Sequence, residues 1–252
     1  MKRLLCLLLC LVLLPVAALC EEVSEPVELT GASDFVAPTE TADGTPIPEK
    51  IQTLIDVAHA QFVKHDWAKL PKNNEYTRWY YGDERKIGWC SVFQIWCMHE
   101  AGIPLFKNKD IQVPEDGIFG LAEGKPGNVK VGYEGLERFV LGEAGGIPQP
   151  GYLVVYGVRG STPYTHIAIV ETVTPLGDGV YELTTVEGNI NSSVRRYRYR
   201  YDATPKARYK NMSAVPAEEQ TDENCQYKLH SDKWYVTGFA VTWGDAAYEP
   251  ES

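Results

Sequence analysis

The sequence predicts an α+β domain built on an antiparallel sheet, because helical periodicity fills its first half and strand alternation its second. Ile51, Leu54, Ile55, Ala58 and Phe62 form one apolar stripe on a helix opened by Pro48. Val92, Phe93, Trp96 and Cys97 lie near one face of a helix that starts at Cys90 and is stopped by Ala101-Gly102-Ile103-Pro104. After Pro148-Gln149-Pro150-Gly151 the pattern becomes β, with strands expected at 152–156, 166–173, 181–187, 194–201 and 235–242. Residues 70–88 read as a polar, aromatic loop. Residues 105–132 show no clear element, and a short helix is expected at 133–141.

The N-terminus carries a different signal. Met1-Lys2-Arg3 and the apolar run from Leu4 to Leu14 have the layout of a secretory signal peptide, with Ala18-Leu19-Cys20 suited to cleavage after Cys20. The run is short for a bilayer span, so an uncleaved anchor is the lesser alternative. The expected organisation is a signal peptide at 1–20, a disordered Glu/Thr/Pro/Ala-rich linker at 21–47, one folded domain at 48–245 with an insertion at 202–233, and a tail at 246–252. The mature protein is then secreted, with no membrane attachment.

Composition narrows the partners. The 252 residues are 44% hydrophobic and 23% charged, enough for one domain with a substantial core. A formal charge of -10 argues against nucleic acid or an anionic membrane surface. The run Arg195-Arg196-Tyr197-Arg198-Tyr199-Arg200-Tyr201 reads as a strand with Tyr on one face and Arg on the other, its arginines paired with surface carboxylates or meeting carboxyl groups of a peptide ligand.

Three cysteines follow the leader: Cys90, Cys97 and Cys225. On one helix Cys90 and Cys97 stand about 10 Å apart along the axis, beyond disulfide reach. Cys97–Cys225 and Cys90–Cys225 remain open, and the first or none leaves Cys90 free. Cys97-x-His99 is too short and partnerless for zinc, and no metal or cofactor is expected.

Candidate chemistry centres on Cys90. A thiol at a helix start feels the positive end of the helix dipole and unpaired N–H groups, which favour the thiolate. His166 opens a strand in Thr165-His166-Ile167-Ala168-Ile169-Val170, and Glu187-Gly188-Asn189 closes another. Nucleophile, base and orienting group thus occur in order, with Glu187 and Asn189 both candidates for the last. Trp79, Tyr80, Tyr81 and Trp89 either line a substrate groove or pack. His59, His65, His99 and His230 read as surface or helix-face residues.

The motif Trp89-Cys90-x-x-Phe93-x-x-Trp96-Cys97 followed by Ala101-Gly102-Ile103 resembles the nucleophile helix of the CHAP family, the cysteine- and histidine-dependent amidohydrolases and peptidases. Asn73-Asn74-Glu75-Tyr76 with Trp79-Tyr80-Tyr81-Gly82, Pro150-Gly151, the His166 strand, Glu187-Gly188-Asn189 and Gly238-Phe239-Ala240 resemble further family elements, over roughly residues 50–243. Tyr152 departs from the acidic residue many members carry after Pro-Gly, and the 202–233 insertion is long.

The resemblance implies a papain-like fold, with N-terminal helices and the cysteine helix packed on the sheet. It also implies peptidoglycan or its stem peptides as partner, a cell-wall location, and cleavage of an amide by Cys90 and His166 with Glu187 or Asn189 orienting. The Cys90 N–H would serve the oxyanion, with Tyr80, Tyr81 or Asn74 as second donor. A thiol amidase or peptidase acting on a non-wall peptide and a silent binding module are the alternatives. Oligomeric state is left open.

Overall fold

The computed structural model describes residues 35–82, 88–108, 110–227 and 229–244. The signal peptide, residues 21–34 of the expected linker and the 246–252 tail lie outside these residues. Residues 35–47 correct the expectation of a linker reaching to 47. Ala37 and Ile47 are buried, the Ala37 N–H donates to Asp56 Oδ1 at 3.2 Å, and Phe35 stacks on His59 with centroids 4.0 Å apart. A turn at Gly44, with φ 84, folds the segment back so that the Thr41 N–H reaches Thr45 O at 2.9 Å. Two isolated apolar residues give no periodic signal, yet both join the main core.

Three helices precede the large sheet. α1 (Glu49–His65) buries its expected stripe and ends at Asp66 in the left-handed region, with φ 39. α2 (Glu75–Tyr81) lies where a loop was expected. Its local signals are an Asn74 cap, whose Oδ1 accepts from Thr77 N at 3.2 Å, and a Gly82 stop at φ 66. α3 (Cys90–Glu100) begins at the candidate nucleophile.

The stretch without assignment holds a parallel pair, β1 (Leu105–Phe106) and β2 (Gly120–Leu121), and then α4 (Pro126–Gly135). Gly127, Gly132 and Gly135 hide α4 by propensity, while Pro126 sits at its permitted first turn. The helix expected at 133–141 is corrected. Glu137 turns left-handed at φ 57, and β3 (Phe139–Leu141) follows as an edge strand.

The remaining strands are β4 (Leu153–Val158), β5 (His166–Gly177), β6 (Val180–Ile190), β7 (Ser193–Asp202), β8 (Met212–Ala214) and β9 (Trp234–Ala240). With β3 they form a seven-stranded antiparallel sheet in the order β3-β9-β4-β5-β6-β7-β8. The fold is therefore the expected α+β class. Strand alternation separates two cores. Leu153, Val155, Ile167, Ile169 and Val186 meet α1 and α3 on one face, while Val154, Tyr156, Ala168, Val170, Leu183 and Tyr199 form the other.

Residues 203–233, between β7 and β9, cover that second face with Met212 and Leu229. Three arginines of β7 pair with carboxylates, Arg196 with Glu171 and Asp222, Arg198 with Glu182 at 3.7 Å and Arg200 with Glu219 at 2.5 Å, though Glu171 is buried rather than on the surface and Arg195 lies over the Trp67 ring at 4.8 Å. Cys90, Cys97 and Cys225 are all unbridged. Among the described residues no helix is long and apolar enough to cross a membrane.

One contact sets how closely α3 approaches the sheet. A Cβ placed on Gly188 in β6 would come 2.4 Å from Phe93 Cβ. Gly188→Ala is therefore expected to lower unfolding free energy by about 2 kcal/mol through overpacking. Gly135→Ala, exposed with open space around it, leaves stability unchanged or raised. Urea denaturation of the two variants checks the contrast, and equal midpoints would contradict it.

Candidate active site

Cys90 is the first residue of α3, and the Trp89 cap position offers no side-chain acceptor to the helix N-terminus. The Ser91 backbone N–H bonds the Cys90 sulfur, as expected where first-turn amides lack helical partners. Burial alone would raise the thiol pKa, but the hydrogen bond and charge of His166 outweigh it and hold it below its ordinary value. His166 responds in kind. Burial opposes its protonation, yet the bonds to Cys90 and Glu187 bring its pKa up to about 9. The partners thus favour a thiolate–imidazolium pair.

His166 opens β5, and its Nε2 lies 3.0 Å from Glu187 Oε2 on β6. Because Nε2 is committed there, Nδ1 is the ring nitrogen left to meet the thiol. Register brings the two residues together. Ile169 pairs with Val186, so Glu187 lies one step further toward the end where His166 begins. Both side chains then meet Tyr156 of β4.

Glu187 is fully buried. Its Oε1 accepts from Thr185 Oγ1 at 2.8 Å and Tyr156 Oη at 3.2 Å. Its Oε2 accepts from His166 and also from His230 Nε2 at 3.1 Å. Burial alone would make the carboxyl hard to ionise; the two histidines reverse that and hold it well below the usual carboxylate range.

Asn189 is placed differently. It follows Gly188 in a bulge of β6, with φ 67, and its Nδ2 would lie 3.4 Å from a Cβ on Gly88, two residues before Cys90. It flanks the approach to the thiol, whereas Glu187 holds the imidazole.

The aromatic candidates divide. Trp89 has no exposed surface and stacks on Tyr76 at 5.5 Å, so a place in a groove wall is corrected to a place in the core. Trp79 is 40% exposed but contacts His99 at 4.9 Å, about 13 Å along α3 from Cys90 at 1.5 Å per residue. Tyr80 donates to Ala122 O at 2.8 Å and packs edge-on against Tyr81 at 4.6 Å. Asn74 is buried as the α2 cap.

Sequence reasoning missed Thr185, Tyr156, Trp234 and His230. Thr185 and Tyr156 were visible only as strand alternation, and Trp234, 5.7 Å from the His166 ring, fell just outside the strand expected at 235–242. His230 gave no signal, and its reading as a surface residue is corrected by a side chain only 9% exposed. His59 lies on α1, as the helix-face reading has it, but on a buried face, with Nδ1 2.7 Å from Glu171 Oε1. Among the described residues no group of three or more His, Cys, Asp or Glu side chains forms a metal-binding set.

Residues 79–189 match the family model described as the CHAP domain, a span containing Cys90, His166, Glu187 and Asn189 but not His230. Neither a curated protein nor a solved structure matches the chain. The α+β architecture with its antiparallel sheet is compatible with the match, which implies hydrolase activity of the amidase or peptidase kind. Over residues 79–189 this chain is therefore similar to the CHAP domain family.

Proposed function

We propose that the protein is a secreted peptidoglycan hydrolase that cleaves an amide, either between sugar and stem peptide or within the peptides, through a thioacyl-enzyme. The observation that carries this reading is the contact between Cys90 and His166, which lowers one pKa and raises the other. The CHAP match and the leader-like N-terminus support a wall substrate.

In the first half-reaction the Cys90 thiolate attacks the amide carbonyl, and the oxyanion forms beside the Cys90 backbone N–H at the start of α3. Imidazolium His166 gives its Nδ1 proton to the departing amine as the C–N bond breaks. In the second half-reaction neutral His166 takes a proton from water, hydroxide attacks the thioester, and the acid product leaves with the thiolate restored. Glu187 remains ionised throughout and stabilises the imidazolium.

The pH dependence follows from the directions of the shifts. His166 keeps its proton up to about pH 9, so the alkaline limb of kcat/KM is expected near 9 rather than in the ordinary histidine range. The acid limb belongs to protonation of the Cys90 thiolate and lies below the usual thiol range. Steady-state rates on purified sacculi across pH check both limbs.

Cys90→Ala abolishes turnover with the fold retained, and Cys97→Ala does not. Digests of wild-type protein show new amino groups on stem peptides. Reducing-end release would indicate glycoside cleavage and contradict the scheme. Activity on soluble peptides with inert sacculi would move the substrate away from the wall, and turnover by Cys90→Ala would remove the nucleophile.

Glu187→Gln is expected to lower kcat by about a hundredfold or more, because the imidazolium loses its counter-charge. Asn189→Ala leaves the alkaline limb in place. A larger change in that limb for Asn189→Ala than for Glu187→Gln would reverse the two roles.

A further inference from the structure

We propose that His230 is a positioning residue of this site, brought by the 203–233 segment to share Glu187 Oε2 with the base His166. This rests on the reading of Cys90, His166 and Glu187 given above and adds a residue outside the CHAP-matched span.

The sharing is direct. His166 Nε2 and His230 Nε2 stand 3.0 and 3.1 Å from the same oxygen, with their ring centroids 6.0 Å apart. Trp234 and Tyr197 hold the His230 ring from two sides, at 4.2 and 4.3 Å. The segment carrying it is fastened to β7 along its length. Arg196 pairs with Asp222, and Arg200 with Glu219 at 2.5 Å. The Gln226 backbone bonds Arg196 O at 2.8 Å and receives from Arg198 N at 2.9 Å. Leu229, next to His230, packs in the second core. A histidine so fixed is part of the wall around the carboxylate.

Two effects follow from one bond. The second donor fixes the orientation of Oε2, and hence the His166 ring and the direction of Nδ1 toward the thiol. It also takes up part of the carboxylate's charge, so Glu187 holds the His166 proton less tightly than it would alone. The titratable groups around this pair are Cys90 on α3, Tyr156 on β4, Glu187 on β6, and Tyr197 and Tyr199 on β7. Tyr156 and Tyr199 are pushed further from ionisation by burial, so the changes that shape the profile belong to Cys90 and His166.

The test is the pH profile of sacculus cleavage for wild type, His230→Phe and His230→Gln, with Cys90→Ala in parallel and thermal melts on every variant. His230→Phe is expected to lose about tenfold in kcat with KM little changed. Its alkaline limb moves upward by about one pH unit, because Glu187 then serves His166 alone. His230→Gln keeps an N–H donor at the Nε2 position and recovers most of the rate. If His230→Phe does not fold, His230→Asn, too short to reach Oε2, carries the same comparison. An inactive Cys90→Ala beside a folded His230→Phe with wild-type rate and limbs overturns the role of His230 alone. Equal losses in the Phe and Gln variants, with the alkaline limb unmoved, also overturn it. Turnover by Cys90→Ala overturns the underlying reading and His230's role with it.

Discussion

A carboxylate with no exposed surface holds this structure's chemistry together. Removing Glu187 from water costs several kcal/mol unless donors surround it, and four do: Thr185, Tyr156, His166 and His230. They keep the charge in place, and the charge supports a proton on His166, which in turn supports a thiolate on Cys90. Each group's ionisation depends on the next. Loss of the carboxylate would remove one of the two partners that hold the His166 proton, the other being Cys90.

A second buried acid on the same sheet shows what distinguishes the site. Glu171 is also fully buried, but its oxygens meet His59 at 2.7 Å and the Arg196 guanidinium at 2.6 Å. A guanidinium does not release its proton in this range, so that cluster is a fixed clamp between α1, β5 and β7. Glu187 has no guanidinium among its bonded partners, and one of its two imidazoles, His166, also bonds Cys90. The two buried acids thus differ in their partners, a guanidinium in one cluster and the Cys90-bonded imidazole in the other.

Much of this was legible in the sequence because it depends on local pattern. The apolar stripe of α1, the start of α3 at Cys90 and the long strands β5, β6 and β7 all follow from periodicity over many residues. Elements too short to show a period were lost: β1, β2 and β3, the seven-residue α2, and α4 with its three glycines. Ala37 and Ile47 were lost for the same reason. Within the site, Cys90, His166 and Glu187 stood out through their surroundings, whereas His230 reaches Glu187 across 43 residues of separation, on a polar segment with no pattern of its own. Trp89 misled in the other direction, since an aromatic beside a nucleophile suggests a groove wall while its ring is packed in the core.

The most direct measurement is the pH titration of Cys90 itself, followed by thiolate absorbance in the ultraviolet for wild type and for Glu187→Gln. If the buried carboxylate organises the pair, the wild-type thiol ionises below the ordinary cysteine range, and the substitution moves that ionisation toward it. A thiol titrating at the same pH in both proteins would contradict the account, whatever happened to turnover.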